Sequence, residues 1–226
     1  MLAVIKKELK SYLLSPMGYI FIGLFLIIFS VFFYTTIYIS KITNFEYLFY
    51  NGATILTFIT PVLTMRMFSE ERKSGTEQLL LTSPRSVTSI VLGKFVAASI
   101  IIIITELCTF MYFGILSYFG NPSLPVALTT LLGFFLLSLA YISFGMFASS
   151  ITENQIVAVV ITVAAFLGMW FLPDVLPILE VFSLIYKFES FPVGMISISE
   201  IITFVSFTVL FILLTIIVLQ RRKSVK

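Results

Sequence analysis

The polar segment Arg66–Lys94 carries the residues whose types and spacing most clearly indicate a chemistry, that of binding another protein. It holds eight of the 25 charged residues of the chain. Ser74 and Glu77 have the spacing of a capping box, in which a serine hydroxyl and a glutamate carboxylate bind the free backbone amides at the start of a helix. Leu79–Leu81 give this helix an apolar side, and Pro84 ends it. The sequence therefore predicts a short, capped helix that exposes a leucine patch.

A short helix of this kind is suited to docking into a groove on a partner protein. The mixed charges just before it would set the docking register and exclude wrong partners. The alternative is a solvated loop whose leucines contact the bilayer interface. The residues that we assign to docking are Glu70, Glu71, Arg72, Lys73, Gly75, Thr76, Glu77 and Leu80.

Glu106 is an acid inside a long apolar run. It lies about twelve residues into that run, which at 1.5 Å per residue places it about 18 Å deep, near the bilayer centre. An acid at this depth marks a transport pathway or a buried hydrogen-bond partner, and both interpretations stay open. No lysine or arginine lies inside any apolar run. Glu106 is therefore expected to be protonated, to hydrogen-bond to Thr or Ser, or to face a wet cavity.

Polar side chains also recur every three to four residues along another apolar run, at Asn51, Thr54, Thr57, Thr60 and Thr64. Such a stripe either lines a cavity or holds neighbouring helices together, and helix packing is the favoured interpretation. Asn51 and Thr54 are retained, with Glu106, as candidate polar positions inside the membrane.

Composition excludes most enzymatic chemistry. The chain has no histidine, one cysteine and one aspartate, Asp174, so it lacks histidine-dependent triads, the HExxH zinc pair and an aspartate dyad. The one Gly-Lys pair, Gly93-Lys94, has Thr88 where a phosphate loop needs its first glycine and Phe95 where it needs a hydroxyl. The chain is therefore expected to be no enzyme, and to bind neither a metal nor ATP by itself.

The elements that position these residues are membrane-spanning helices. Hydrophobic residues make up 59% of the chain and charged residues 11%, against about 25% charged residues in a soluble domain, and mean hydropathy is +1.11. Apolar runs of roughly 20 residues cross a bilayer as helices. Six such runs predict an all-α integral membrane protein with a single domain, 1–226: about Met17–Ile39, Phe45–Met65, Phe95–Phe119, Val126–Ser149, Gln155–Leu172 and Ile201–Leu219.

Basic residues predict the orientation of these helices, because lysine and arginine concentrate on the cytoplasmic side of a membrane. With the N-terminus in the cytoplasm, 12 of the 14 basic residues lie on that side, and only Lys41 and Lys187 lie outside. Both termini are therefore predicted to be cytoplasmic. Residues 1–15 form an amphipathic helix at the interface, and Ser15 and Pro16 start the first span.

The segment from about Pro173 to Glu200 is apolar but interrupted by prolines, so it is too broken to span a bilayer. Two short helices that dip back into the outer leaflet fit it best, as an extracellular re-entrant hairpin. A surface lid without a role in transport is the alternative.

Two strings of residues resemble a known family. The string from Phe68 to Pro84 is similar to the coupling-helix motif of ABC-2 type transporter permeases, the membrane subunits of ATP-driven exporters. The string Phe188–Ile196 resembles the gliding-motility branch of that family. The resemblance implies a type V exporter-like permease fold with six spans, an amphipathic N-terminal helix, a cytoplasmic coupling helix and an extracellular hairpin. Phe191 and Gly194 of that hairpin would gate the exit route.

The resemblance also implies partners. Two separate ABC ATPase subunits would carry ATP and Mg²⁺ and dock against the coupling helix. A second permease subunit, alike or different, would complete the route across the cell membrane of a bacterium or archaeon. No nucleic acid is expected as a partner. The rival interpretation is a channel or proton-coupled secondary transporter that uses Glu106, and a membrane scaffold is a third.

Overall fold

The computed structural model describes residues 1–39, 45–78, 85–175, 180 and 183–224, which are nearly all helical. A π-helical turn, Thr35–Ile39, follows α2, and a 3-10 turn, Phe191–Val193, precedes α9. The α-helices are α1 (Leu2–Leu14), α2 (Pro16–Tyr34), α3 (Phe45–Thr64), α4 (Ser69–Lys73), α5 (Val87–Phe119), α6 (Leu124–Ile151), α7 (Gln155–Val175), α8 (Leu184–Phe188) and α9 (Ile198–Ser224).

The described residues contain five helical stretches that are long and apolar enough to cross a membrane. They are Pro16–Ile37, Phe45–Lys73, Val87–Phe119, Leu124–Ile151 and Ile198–Lys223. Gln155–Phe171, in the predicted fifth span, is an apolar helix of shorter length. The chain is a multi-pass, all-α membrane protein, and the count of six spans stays a prediction.

The helix that contains the predicted third span starts earlier than the sequence indicated. α5 begins at Val87, about two turns before Phe95. The Ser86 side chain explains this start, because it accepts a hydrogen bond from the backbone N–H of Ser89 at 3.3 Å and so caps the helix. The early start places Lys94 inside a helix, where its side chain is buried.

α6 lies at the centre of the bundle and contacts α3, α5, α7 and α9. Two glycines of α6 permit close approach of its neighbours. A side chain at Gly145 would collide with Thr64 of α3, and one at Gly133 would collide with the ring of Phe191. Small residues at these points therefore set how closely the helices pack.

Aromatic rings fill the space between α2, α3 and α6. The ring centroids of Phe29 and Phe49 lie 5.2 Å apart, and those of Phe49 and Phe134 lie 4.9 Å apart, both in an edge-to-face (T-shaped) arrangement. Such pairs each contribute about 0.5 to 1.5 kcal/mol beyond the burial of their area. This core fixes the relative positions of three helices.

α1 covers the residues predicted to form the N-terminal helix, and it packs against α5 and α2. Its approach to α5 is close, since a side chain at Gly93 would meet Val4. Pro16 is the first residue of α2, and Ser15 takes the N-cap position with an extended backbone but no side-chain cap hydrogen bond.

Candidate functional site

Ion pairs join five separate parts of the chain at one end of the helix bundle. These parts are α1, the segment from α4 to Gln78, the start of α5, the connection between α6 and α7, and the end of α9. The positive-inside pattern predicts that all five share one side of the membrane, and they are in contact here. We call this region the ionic end and define it by Lys7, Glu8, Glu71, Arg72, Glu77, Lys94, Glu153 and Arg222.

Lys94 lies at the centre of the ionic end. Its side chain is only 4% exposed, and its Nζ lies 2.8 Å from Oε1 of Glu71 and 3.2 Å from Oε1 of Glu8. The same Nζ lies 5.3 Å from the ring centroid of Phe68, within the range of a cation–π contact. A buried lysine needs such partners, because an unpaired charge out of water is costly. Lys94 thereby joins α5 to both α1 and α4.

Lys7 balances the second carboxylate of this cluster. Its Nζ lies 3.5 Å from Oε1 of Glu8 and 3.9 Å from Oε1 of Glu71, so two cations face two carboxylates. Tyr12 follows Glu8 by one helical turn. Burial raises the pKa of the Tyr12 hydroxyl above its usual value, and the negative charges of Glu8 and Glu71 raise it further. Tyr12 therefore stays neutral and adds no charge to the cluster.

Two further ion pairs attach the polar segment to other helices. Nη2 of Arg72 lies 2.7 Å from Oε1 of Glu153, in the connection between α6 and α7. Nη1 of Arg222, near the end of α9, lies 3.1 Å from Oε1 of Glu77. These side chains are partly exposed, so each pair contributes only about 0 to 1 kcal/mol to stability. Their positions still tie the segment to two additional elements.

The capping box predicted for Ser74 and Glu77 is wrong. The Ser74 hydroxyl donates to the carbonyl of Glu70 at 2.8 Å, and the Ser74 N–H donates to the same carbonyl at 2.9 Å. Ser74 therefore ends α4 instead of starting a new helix, because α4 supplies free carbonyls directly before it. The Glu77 carboxylate, which a capping box would direct to the Ser74 N–H, binds Arg222.

The residues assigned to docking divide into an exposed and an internal group. Glu71 is internal, because its carboxylate lies against the buried side chain of Lys94. Gly75 has φ of +74°, a left-handed conformation that favours glycine, and it lies at an exposed turn. Leu80 lies outside the described residues. The exposed members are Glu70, Lys73, Gly75 and Thr76, while Arg72 and Glu77 are half-buried in their ion pairs.

Glu106 lies on α5, about 18 Å along the helix from Lys94. Its Oε1 is buried and has no hydrogen-bond partner among the residues that the structure describes. The hydroxyl of Thr109, three residues further along the helix, donates to the backbone carbonyl of Glu106 at 2.7 Å, and that of Thr105 donates to the carbonyl of Ile101 at 2.8 Å. The structural hydrogen bond that the sequence left open is therefore not found at Oε1 within the described ranges.

The polar stripe of α3 is largely buried. Thr57, Thr60 and Thr64 are at most 1% exposed, and the hydroxyls of Thr57 and Thr64 donate to backbone carbonyls one turn earlier, at 3.4 and 3.1 Å. These bonds satisfy the hydroxyls of Thr57 and Thr64 within α3, which supports a role in helix packing, whereas the buried Oγ1 of Thr60 has no partner among the described residues. Asn51 and Thr54 are half-buried, and their assignment as intramembrane polar positions stays a prediction.

Phe191 and Gly194 lie at the opposite end of the bundle from the ionic end. Phe191 is fully buried against Gly133 of α6, and its ring centroid lies 6.2 Å from that of Phe204 in α9. Gly194 has φ of +83°, and its N–H donates to the carbonyl of Phe191 at 2.9 Å. The turn thus places one ring between two helices, and its role as a gate stays a prediction.

Sequence reasoning missed Glu8, and it used Lys94 as a marker of orientation, as the end of the polar segment and in the test for a phosphate loop, but not as a buried ion-pair partner. A signal for Glu8 was present, because it follows Ile5 by three residues and precedes Tyr12 by four, which places it on the apolar face of α1. A charge on an apolar face requires a buried partner. No comparable local signal identified Lys94 as that partner, since the two residues are 86 positions apart.

One protein family matches this chain. A family model described as ABC-2 family transporter protein covers residues 2–224, which includes every element from α1 to α9. No curated protein matches the chain.

Proposed function

Because this chain belongs to the ABC-2 family of transporter proteins, we propose that it couples ATP hydrolysis by a separate ATPase subunit to the export of a substrate. Family membership makes it a membrane permease subunit of an ABC transporter, which works with an ABC ATPase. That ATPase would bind ATP and Mg²⁺. We further propose that the complete transporter contains two ATPase subunits and two permease subunits, alike or different, and assignment to the gliding-motility branch stays a prediction.

The observation that carries this proposal is the ionic end. The exposed face of α4 and the following turn offers a surface for the ATPase, with Glu70 and Lys73 both exposed. The same short segment is tied by Glu71 to Lys94 and by Arg72 to Glu153. A force applied to the exposed face would therefore reach α5 and the connection between α6 and α7 directly.

The buried charges make this connection stiff. Separating Lys94 from Glu71 and Glu8 would leave charges unpaired out of water, which costs several kcal/mol. Small displacements of α4 are therefore expected to move α1 and α5 with it instead of breaking the contacts. The unit formed by α1, α4 and the start of α5 would have two arrangements relative to the rest of the permease. The ATPase would bind one of them more tightly than the other, which shifts the population of permease conformations.

The location of the ionic end supports an orientation. Twelve of the 14 basic residues belong to the segments predicted to be cytoplasmic, and positive charge is retained on that side. We propose that the ionic end and both termini face the cytoplasm of a bacterial or archaeal cell. Phe191 and Gly194 would then lie at the extracellular end, where withdrawal of the Phe191 ring from Gly133 would open an exit.

A second candidate function rests on Glu106. A buried carboxyl oxygen without a hydrogen-bond partner inside a span is typical of a proton or ligand site. A channel or proton-coupled transporter that uses Glu106 would need no ATPase. Such a protein would have no need of an exposed segment tied to four other elements, so the exporter is the better-supported function.

The test of the exporter is purification of the full chain from its native host with an affinity tag, followed by mass spectrometry of the proteins that remain bound. We expect an ABC ATPase among them. The substitutions Glu70→Lys and Lys73→Glu, which reverse exposed charges on α4, are expected to reduce the recovered ATPase at least about tenfold, the effect of 1.4 kcal/mol in binding.

Lys10→Glu is the matched control, because it reverses an exposed charge at the same end of the bundle but on α1. It is expected to leave ATPase recovery unchanged. Absence of any ABC ATPase from the purified complex, together with proton flux that Glu106→Gln abolishes in vesicles of the chain alone, would support the second candidate and reject the exporter.

A further inference from the structure

Glu106 lines a groove between α5 and α6. Its volume is about 240 Å³, and apart from Glu106 its walls are apolar: Ile103, Leu107 and Phe110 from α5, with Leu128 and Leu131 from α6. The α5 residues recur at helical spacing, so one face of that helix forms one wall. Glu106 is the only polar group in this wall, and its Oε1 has no partner among the described residues.

The groove opens sideways, toward the lipid-facing surface of the helix bundle. Leu107 is 69% exposed, and Ile103 and Leu128 are also exposed. A molecule could therefore enter from the bilayer without passing through either end of the protein. Because the volume is below the roughly 300 to 1,000 Å³ of pockets for drug-sized ligands, the groove would hold only the head of a ligand, with its apolar remainder in the lipid.

Among the described residues, no lysine or arginine lines this groove. No lysine or arginine occurs between Lys94 and Lys187, and Lys94 is already paired with Glu8 and Glu71. A twofold-symmetric contact across this face would bring two like carboxyl groups together, since each copy offers the same surface. A cation that complements the carboxylate would therefore come from a different molecule.

We propose that this groove binds the head of an amine-bearing amphiphile taken from the bilayer. A protonated primary amine carries three hydrogen-bond donors and a positive charge, and the Glu106 carboxylate supplies the acceptors and the opposite charge. The ring of Phe110 adds an apolar surface to the wall of the groove. The aliphatic wall residues contact the first methylene groups of the tail.

This inference rests on the proposed function only in that the bound amine would be a transport substrate. Binding itself is a property of the permease chain and needs no ATPase. A failure of ATPase recovery would thus leave the binding result intact, and a failure of amine binding would leave the ATPase result intact.

The experiment measures binding of radiolabelled dodecylamine to the purified full chain in phosphatidylcholine nanodiscs, with empty nanodiscs as background. We expect saturable binding to the wild-type chain and at least about tenfold weaker binding to Glu106→Gln, because a charge-assisted hydrogen bond is lost. Glu46→Gln, which removes a carboxylate at the start of α3, is the matched control and is expected to bind as the wild type does.

Further arms exclude other occupants. Leu128→Trp, which fills the mouth of the groove while Glu106 is kept, is expected to weaken dodecylamine binding by a similar factor, and circular dichroism checks that both variants remain folded. Dodecanol, which has the same chain and no charge, should not displace the amine. Dodecyltrimethylammonium, which has the charge but no donor, should displace it more weakly than unlabelled dodecylamine.

Three results would overturn the proposal. Binding that is unchanged in Glu106→Gln would show that the carboxyl group is not the site, even if the same variant abolishes a proton flux. Equal displacement by dodecanol would show a groove that takes acyl chains only. Efficient crosslinking of two chains through Leu107→Cys in nanodiscs, with loss of dodecylamine binding, would show that a second copy covers the groove.

Discussion

Glu71 and Glu106 are both glutamates, but their carboxyl groups lie in contrasting environments. Oε1 of Glu71 lies 2.8 Å from Nζ of Lys94 at the ionic end. Oε1 of Glu106 is buried on α5 with no hydrogen-bond partner in the described part of the chain. The first carboxylate is compensated within the protein and holds helices together. The second is uncompensated, so its retention in an apolar span points to a task that involves another molecule.

The contrast extends to the surroundings of each group. Lys94 and Lys7 supply the counter-charges around Glu71, and those residues come from different helices. The wall around Glu106 is aliphatic and aromatic and belongs to α5 and α6 alone. Removing the partner of Glu71 should therefore lower the free energy of unfolding strongly. Removing the carboxyl group of Glu106 should leave the free energy of unfolding unchanged or raise it.

The largest effect is expected for Lys94→Met, which keeps the length of the side chain and removes its charge. Two carboxylates would then face each other with only Lys7 nearby. The free energy of unfolding is expected to fall by about 3 to 5 kcal/mol, the usual cost of breaking a buried ion pair by removing one partner. Titration with SDS in mixed micelles, followed by circular dichroism, measures this change.

Lys73→Met is the control for that measurement, because Lys73 is exposed on α4. It is expected to change the free energy of unfolding by less than about 0.5 kcal/mol. Equal effects of the two substitutions would mean that Lys94 is solvated and that the ionic end is not a rigid unit.

An intermediate effect of opposite sign is expected for Glu106→Leu. The substitution removes a buried polar group without a partner, and it is expected to raise the free energy of unfolding by about 1 to 3 kcal/mol in the same assay. Glu106→Gln, which keeps a polar group of the same shape, should change it by less than about 0.5 kcal/mol. A loss of stability in Glu106→Leu would reveal a partner for the carboxyl group and remove the contrast with Glu71.

The smallest effect is expected for Arg222→Ala, at the partly exposed pair with Glu77. Its loss should lower the free energy of unfolding by less than about 1 kcal/mol, because the pair lines an open cleft of about 640 Å³ from which water can reach the freed carboxylate. A double-mutant cycle with Glu77→Ala isolates the energy of the pair. A coupling as large as the Lys94 effect would place this pair in the buried part of the ionic end.

Much of the fold could be predicted from the sequence because a bilayer imposes a length and a composition on each span. The apolar runs locate the membrane helices, and Glu106 is identified by its position in one of them. The start of α5 at Val87 could not be predicted, because Lys94 directly precedes the apolar run Phe95–Phe119. A lysine at the boundary of an apolar run is typical of a loop. The burial of Lys94 depends on Glu8 and Glu71, which come from distant parts of the chain.

The candidate site was predictable in location and less so in detail. The segment Ser69–Gln78 is prominent because it is charged between apolar runs. Ser74 and Glu77 have the spacing of a capping box, yet the same residues serve equally well to end α4 and to bind Arg222. Local spacing cannot decide between these roles, because it does not include the competing partners. Ser74 bonds to the helix directly before it, and Glu77 binds Arg222, which lies 145 positions further along the chain.

The position of Lys94 also determines the order in which the protein can assemble during synthesis. Glu8 emerges from the ribosome 86 residues before the lysine that neutralises it, a delay of roughly 4 to 17 s at 5 to 20 residues per second. Until then α1 has neither Gly93 to pack against nor Lys94 to bind. The exposed lysines of α1 would hold it among lipid headgroups during this interval, so its docking onto α5 would be a late event that completes the ionic end.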